Sequence, residues 1–222
     1  MKYKPILKII GILAPILYLV TAIMGLVLKL GYNQMEYAFS DLIADGAPNK
    51  ILLTYLFSIY SIFTMIFAVG LLLFILFYHK SDNHDNLGKT GVAFLLTVGF
   101  GLILLLFFPK DPNHTPITFT GVLHLSLAYV MTFSTVLGVL FFVLWFKAVK
   151  LKNLSIYSLI SLIVIFIFGT IAVAVARPAN PFLGLFERIT IFAFLQWIPV
   201  TAIWIINLKN ISLNLNDRYK IV

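Results

Sequence analysis

The sequence predicts an all-α protein, a polytopic transmembrane bundle of six helices. Of its 222 residues, 61% are hydrophobic and only 11% are charged, whereas soluble proteins carry about 25% charged residues. The chain also contains six uncharged stretches that are long enough to cross a bilayer. Because membrane-spanning strands alternate apolar and polar residues, these continuous apolar runs exclude a transmembrane β-barrel.

Each predicted span meets the length that a bilayer requires, which is roughly 20 apolar residues for a hydrocarbon core about 30 Å thick. The six spans lie at about residues 9–28, 51–78, 90–108, 121–146, 154–176 and 189–208. The first span follows a basic N-terminus but is too long for the apolar core of a signal peptide, so we predict that it is retained. Residues 1–222 are therefore predicted to form a single six-helix transmembrane domain.

The basic residues predict the orientation of the spans. If the N-terminus is inside, 11 of the 16 Lys and Arg residues lie on the inner side, and the outer side holds only Lys29, Lys50, Lys110, Arg177 and Arg188. Cytoplasmic segments are enriched in Lys and Arg, so both termini are predicted to be cytoplasmic in a plasma-membrane protein. This asymmetry also accounts for the net charge of +8, and membrane lipids rather than nucleic acid are the expected partners.

Cofactor chemistry is restricted by the composition. The chain has no cysteine, which excludes disulfides and thiolate metal sites. His124 is the only histidine within a predicted span, whereas haem held between helices needs facing ligands. No haem is therefore expected.

His124 is the first candidate for a functional residue. An ionisable side chain below the membrane surface is costly, and such groups normally face the bundle interior or a wet cavity. A neutral imidazole there serves as a metal ligand, a general base or an interhelical hydrogen-bonding group. The sequence leaves these roles open.

A loop after the third span supplies further candidate ligands. Asp111 and His114 lie three residues apart, ahead of His124. Two imidazoles and a carboxylate are a ligand set that a catalytic zinc ion uses, so His114, His124 and Asp111 are a candidate zinc site. The alternative is that Asp111, which precedes Pro112, forms a turn.

The other outer loops also carry candidate site residues. Ser40 and Asp41 are a candidate nucleophile and acid, although the same pair is common at the N-terminus of a helix. Glu187, Arg188 and Arg177 are candidate binding residues for an anionic headgroup, and membrane-surface anchoring is the alternative. In an enzyme, Asp111 orients His124 and Arg188 holds the headgroup.

These segments resemble a prokaryotic membrane family known as domain of unknown function 998. The matching positions are Ser40, Asp41, Gly46, Pro48, Phe108, Pro109, Asp111, Gly121, His124, Gly184, Glu187 and Arg188. More faintly, the chain is similar to the six-span group that includes the damage-regulated autophagy modulators, which implies a link to lipids. The first resemblance implies an integral membrane protein and assigns no activity.

Three functions remain open from the sequence. The predicted one is an outward-facing polar site that binds or hydrolyses a lipid headgroup. The alternatives are a noncatalytic membrane partner or scaffold, and a carrier of lipids or small molecules. A carrier is disfavoured because the spans hold no deep carboxylate or Lys for ion coupling.

Overall fold

The computed structural model describes residues 4–78, 85–112, 115, 117–176 and 180–218. The described residues form six α-helices, each long and apolar enough to cross a membrane, which confirms the predicted fold class. The helices are α1 (Lys4–Leu28), α2 (Lys50–Tyr78), α3 (Asp85–Leu104), α4 (Phe119–Ala148), α5 (Lys152–Ala174) and α6 (Leu183–Arg218).

Several helix ends differ from the predicted spans, and two of these differences bear on the loop end of the bundle. α3 ends at Leu104 rather than at Phe108, because the chain continues in turns in which the N–H of Phe107 donates to the Leu104 carbonyl at 2.9 Å. α6 begins at Leu183, several residues before the predicted span, and so includes Glu187 and Arg188. Charged residues delimit the uncharged stretches of the sequence, but they do not end a helix when the helix buries them.

The six helices form a closed ring. Each helix packs against its neighbours in the chain, and α6 packs against α1. Gly11 of α1 lies against Ala202 of α6, while Gly169 of α5 lies against Thr190 of α6. Successive helices therefore run antiparallel, so α1 begins and α6 ends at one end of the bundle, here called the terminal end. The opposite end, which carries residues 29–49, 105–112, 117–118, 175–176 and 180–182, is called the loop end.

The terminal half of the bundle is filled by aromatic side chains. Phe142 packs edge-on against Trp145 and Trp197, with ring centroids 5.8 and 5.3 Å apart, and all three side chains are fully buried. Trp197 also donates its indole N–H to Ser158 Oγ at 2.9 Å. This packing joins α4, α5 and α6 across the bundle and leaves the terminal half closed.

At the loop end, a short 3-10 helix (Phe39–Leu42) enters the ring from the connection between α1 and α2. Phe39 stacks on Tyr18 with ring centroids 4.4 Å apart. Leu42 lies directly against Gly25, where a Cβ atom would collide with the leucine side chain. Because Gly25 has no side chain, the inserted 3-10 helix can pack against α1 inside the bundle.

Candidate functional site

A cavity of about 400 Å³ opens at the loop end and reaches into the middle of the bundle. Its polar lining lies at the loop end and includes Glu36, Ser40, Lys110, Asp111 and His124. Its deeper lining is mostly apolar and comes from α3, α4, α5 and α6, with Val98, Leu102, Met131, Ile165, Ile191 and Phe194 among its side chains. The cavity is therefore amphiphilic along the bundle axis.

Three threonines in the deeper lining reinforce its apolar character. Thr132, Thr135 and Thr190 each donate the side-chain hydroxyl to a carbonyl of their own helix four residues earlier, at 2.8 to 2.9 Å. A Cβ atom built on Gly169 would meet the methyl groups of Thr190 and Thr132 first, at 3.4 and 3.5 Å. Thr132 and Thr190 thus present methyl groups where α4, α5 and α6 converge, while the hydroxyls of all three threonines are hydrogen-bonded to their own helices.

His124 projects from α4 at the polar end of the cavity and is 3% exposed. Its Nδ1 lies 2.8 Å from the carbonyl oxygen of Phe108. A carbonyl only accepts hydrogen bonds, so Nδ1 carries the proton and Nε2 of the neutral ring is an acceptor. Among the described residues, no hydrogen bond is made to Nε2, which is therefore available to a hydroxyl, an amine or a water molecule in the cavity.

Asp41 is buried in the inserted 3-10 helix between two lysines. Lys110 Nζ contacts Asp41 Oδ1 at 2.5 Å, and Lys29 Nζ donates to the Asp41 carbonyl at 2.9 Å. Burial lowers the pKa of Lys29, although the Asp41 charge acts in the opposite direction. Asp41 Oδ2 accepts no hydrogen bond from the described part of the chain. The Lys110–Asp41 pair joins the loop after α3 to the loop after α1 above the cavity.

Asp111 fixes the start of α4 rather than holding His124. Its Oδ2 accepts from the backbone N–H of Thr118 at 2.8 Å, and its Oδ1 accepts from the Thr118 hydroxyl at 2.7 Å. Thr118 Oγ1 in turn accepts from the N–H of Gly121, which makes Thr118 the N-cap of α4. The carboxylate sits so close to Gly121 that a Cβ atom there would overlap it. Asp111 therefore supports the N-cap residue of α4, and the turn that the sequence offered as an alternative stays a prediction.

Asp111 should make the stability of the protein depend on pH in the acidic range. The hydrogen bonds from Thr118 lower the pKa of Asp111 below its ordinary value of 3.8. A carboxylate with a depressed folded-state pKa stabilises the fold above its unfolded pKa, and this contribution is lost as pH falls through the folded value. Asp111→Asn should lower the thermal midpoint in detergent at neutral pH, and the difference from wild type should shrink below about pH 4. A difference that stays constant down to about pH 2 would contradict this capping role.

Glu187 and Arg188, at the start of α6, hold the connection between α1 and α2. Arg188 Nη1 donates to the carbonyls of Gln34 and Tyr37 at 2.6 and 2.8 Å, and Nη2 donates to the Tyr32 hydroxyl at 2.5 Å. Glu187 Oε2 accepts from the N–H of Phe39 at 2.9 Å. We call this set of hydrogen bonds the Arg188 network. It uses the guanidinium inside the protein, whereas Lys110, which is paired with Asp41, also lines the cavity.

The remaining predicted site residues divide into two groups. Ser40 lies in the inserted 3-10 helix and lines the cavity. His114 and Arg177 lie outside the described residues, so the zinc site that includes His114, His124 and Asp111 stays a prediction. Within the part of the chain that the structure describes, no group of three metal-binding side chains comes together.

The structure adds cavity residues that sequence reasoning missed. Tyr18 and Tyr60 are buried in its wall, and Glu36 lies at its polar end. Lys110 was available as a signal, because it lies inside the Phe108–Asp111 segment that carries the family resemblance. Tyr18 and Tyr60 could not be recognised as cavity residues from the sequence, since a tyrosine within an apolar span is usual at helix interfaces.

Six apolar helices in a closed ring define a multi-pass helical membrane protein. Residues 12–204 match the family described as Protein of unknown function (DUF998). The chain belongs to that family, as the loop residues predict. No curated protein and no solved structure matches the chain, and the fainter similarity to the autophagy-modulator group stays a prediction.

Proposed function

We propose that this protein binds a membrane amphiphile in the cavity, with the polar end of the ligand at His124 and Lys110 and its apolar part between α3, α4, α5 and α6. The observation that carries the proposal is the distribution of charge in the lining: its charged and imidazole side chains lie at the loop end, whereas the deeper lining is mostly apolar. Small-molecule sites typically measure about 300–1,000 Å³. At about 400 Å³ this cavity is at the small end of that range, which favours a single-chain amphiphile over a two-chain lipid.

The charges at the polar end favour a particular type of headgroup. Lys110 attracts an anion, but Asp41 offsets its charge at 2.5 Å. Glu36 and Glu187 line the same cavity and repel an anion. His124 Nε2 accepts a hydrogen bond from a hydroxyl or an ammonium group. A hydroxylated or zwitterionic headgroup therefore fits these side chains better than the purely anionic headgroup that the sequence favours.

Binding is better supported than conduction. The aromatic packing of Phe142, Trp145 and Trp197 fills the terminal half of the bundle, and the cavity occupies the other half. The packing argues against an open channel, and an ion-coupled carrier is disfavoured because the spans hold no deep carboxylate or Lys. The Lys and Arg distribution supports a plasma-membrane orientation with cytoplasmic termini, so that the cavity belongs to the outer leaflet.

Filling the cavity should abolish binding of the amphiphile. Thr132→Trp places an indole among the side chains of the deep lining, whereas Thr97→Trp places one on the exposed side of α3. Both threonines donate to the carbonyl four residues earlier, so the pair is matched in its local hydrogen bonding. Native mass spectrometry from nanodiscs should show one bound amphiphile on wild type and on Thr97→Trp, and none on Thr132→Trp.

Removing the His124 side chain from the polar end of the cavity should weaken binding of the amphiphile without abolishing it. His124→Ala deletes one hydrogen-bond acceptor, which is worth about 1 to 1.5 kcal/mol, or roughly tenfold in affinity.

If wild type carries no amphiphile, or if Thr132→Trp retains it fully, the cavity is not a lipid-binding site.

Hydrolysis of the bound amphiphile is a second candidate function. It is favoured by His124, whose Nε2 is unprotonated and lies in the same cavity as Ser40. His124 would accept a proton as water or the Ser40 hydroxyl attacks an ester carbonyl, and would return it to the leaving alcohol when the ester C–O bond breaks. Where Ser40 is the nucleophile, a water molecule would then attack the acylated Ser40, release the fatty acid and restore the hydroxyl. Release of free fatty acid from a bound ester, lost in His124→Ala, would support hydrolysis. Binding of the ester without release of fatty acid would indicate a protein that binds the amphiphile but does not hydrolyse it.

A further inference from the structure

The exposed part of the cavity lining is confined to one side of the bundle. Cavity residues on α1, α2, α3 and α6 are buried or half-buried. The exposed ones lie on α4, on α5 with the residues just after it, and on the segment that leads into α4. They are Pro112, Thr115, Ile117, Leu125, Tyr129, Val173 and Ala176. A side chain that both lines a cavity and is exposed marks an opening, so the cavity opens beside α4 and α5.

This opening faces the hydrocarbon of the bilayer along α4 and α5. Leu125 and Tyr129 on α4 are 37% and 46% exposed, and Val173 on α5 is 45% exposed. Their exposed neighbours on the same helices, such as Val130 and Phe166, are apolar as well. Exposed apolar side chains on a membrane-spanning helix lie against lipid.

Two contacts join α4 and α5 on the side of the cavity away from the loop end. Near the terminal end, Ser155 Oγ donates to the Val143 carbonyl at 2.9 Å. At Gly169 a Cβ atom would lie 3.5 Å from the methyl group of Thr132. One helical turn closer to the loop end, both helices line the cavity with small side chains, Ala128 on α4 and Ala172 on α5.

We propose that the seam between α4 and α5 is a lateral portal through which a single-chain amphiphile enters the cavity directly from the outer leaflet of the bilayer. This inference rests on the proposed binding function and adds the source of the ligand, which is the membrane rather than the aqueous phase. An amphiphile that enters this way keeps its chain in an apolar environment, while its headgroup moves along the membrane surface to the polar end. No apolar surface has to cross water.

A capture-rate experiment in proteoliposomes tests the portal. A single-chain amphiphile that carries a diazirine and an alkyne is added to the bilayer, the sample is irradiated after increasing delays, and the label captured per full-length chain is counted. Ala172→Trp fills the portal, and Ala128→Trp fills it from the facing helix. Ala174→Trp is the matched control, because Ala174 is an exposed alanine on the same helix that does not line the cavity.

We expect Ala172→Trp and Ala128→Trp to slow capture by about tenfold and Ala174→Trp to match wild type. A second variant blocks the aqueous approach: because the chain has no other cysteine, Tyr37→Cys accepts a bulky hydrophilic maleimide at the loop end. Tyr37 lines the cavity from the connection between α1 and α2 and is not among the exposed residues that mark the opening. This block should leave the capture rate unchanged. If it slows capture and the two portal variants do not, the ligand enters from water and the portal is refuted. If wild type captures no more than Thr132→Trp, binding itself fails, whatever the route.

Discussion

Replacing Arg188 with alanine should cause a large loss of stability. Arg188 is 9% exposed and donates hydrogen bonds to three backbone carbonyls, those of Gln34, Tyr37 and Gly184, and to the Tyr32 hydroxyl. Its removal takes away all four hydrogen bonds and leaves the Gln34 carbonyl without a donor among the described residues, at a cost of about 1 to 3 kcal/mol for each unsatisfied group. The Tyr37 carbonyl keeps only the 3.2 Å hydrogen bond from the Tyr32 hydroxyl. We expect the free energy of unfolding to fall by about 2 to 4 kcal/mol, since water enters part of the space.

The measurement is the thermal midpoint of the purified protein in detergent, with Arg188→Lys as the graded variant. Lysine keeps the charge, but its single ammonium group cannot span four acceptors as the planar guanidinium does, so an intermediate midpoint is expected. If Arg188→Ala melts at the wild-type temperature and instead loses its bound amphiphile, Arg188 is the headgroup-binding residue that the sequence suggests and the Arg188 network is not structural.

Gly184→Ala should also strongly destabilise the loop end. A Cβ atom at Gly184 would overlap the carbonyl oxygens of Gln34 and Tyr37 and lie 2.7 Å from Arg188 Nη1. The obstructing atoms belong mainly to the backbone, which cannot move aside as the tip of a side chain does. The first turn of α6 must then separate from residues 34–37, where the N–H of Leu185 donates to the Met35 carbonyl at 2.9 Å. Overpacking of this kind typically costs about 1–3 kcal/mol.

A second glycine of the same cavity region provides the control. Gly169→Ala places its Cβ at ordinary van der Waals distance, 3.4 Å or more, from Thr190 and Thr132. Alanine is also about 1 kcal/mol better than glycine inside a helix. Thermal midpoints in detergent should therefore fall for Gly184→Ala and stay level or rise for Gly169→Ala. Equal midpoints for the two variants would contradict the close approach of α6 to residues 34–37.

The architecture could be predicted from the sequence because the bilayer requirement is simple. A span about 20 apolar residues long can be recognised in the sequence without knowing which residues pack against it. All six predicted spans correspond to helices. The early start of α6 could not be predicted, because Glu187 and Arg188 interrupt the apolar run. In the structure, hydrogen bonds to residues 34–39 satisfy both side chains inside the protein.

The candidate site was only partly predictable, for a physical reason. The sequence indicated that His124 and Asp111 lie at the same end of the bundle, and both line the cavity. It did not indicate which partner each would take: His124 binds the Phe108 carbonyl, and Asp111 binds Thr118. Such partners depend on where the chain turns after α3, which is set by packing at a distance. The cavity itself results from the relative size of side chains on several helices, and no single segment encodes it.

The most direct test of amphiphile binding is to locate the captured ligand on the chain. After irradiation of the diazirine-bearing amphiphile in proteoliposomes, peptide mass spectrometry identifies the labelled residues. Labels on deep lining residues of three different helices, such as Thr132, Ile165 and Ile191, are the predicted result, and Thr132→Trp should remove them. Labels confined to lipid-exposed side chains such as Phe133 and Ile160, unchanged in Thr132→Trp, would show that the amphiphile only surrounds the protein and does not occupy the cavity.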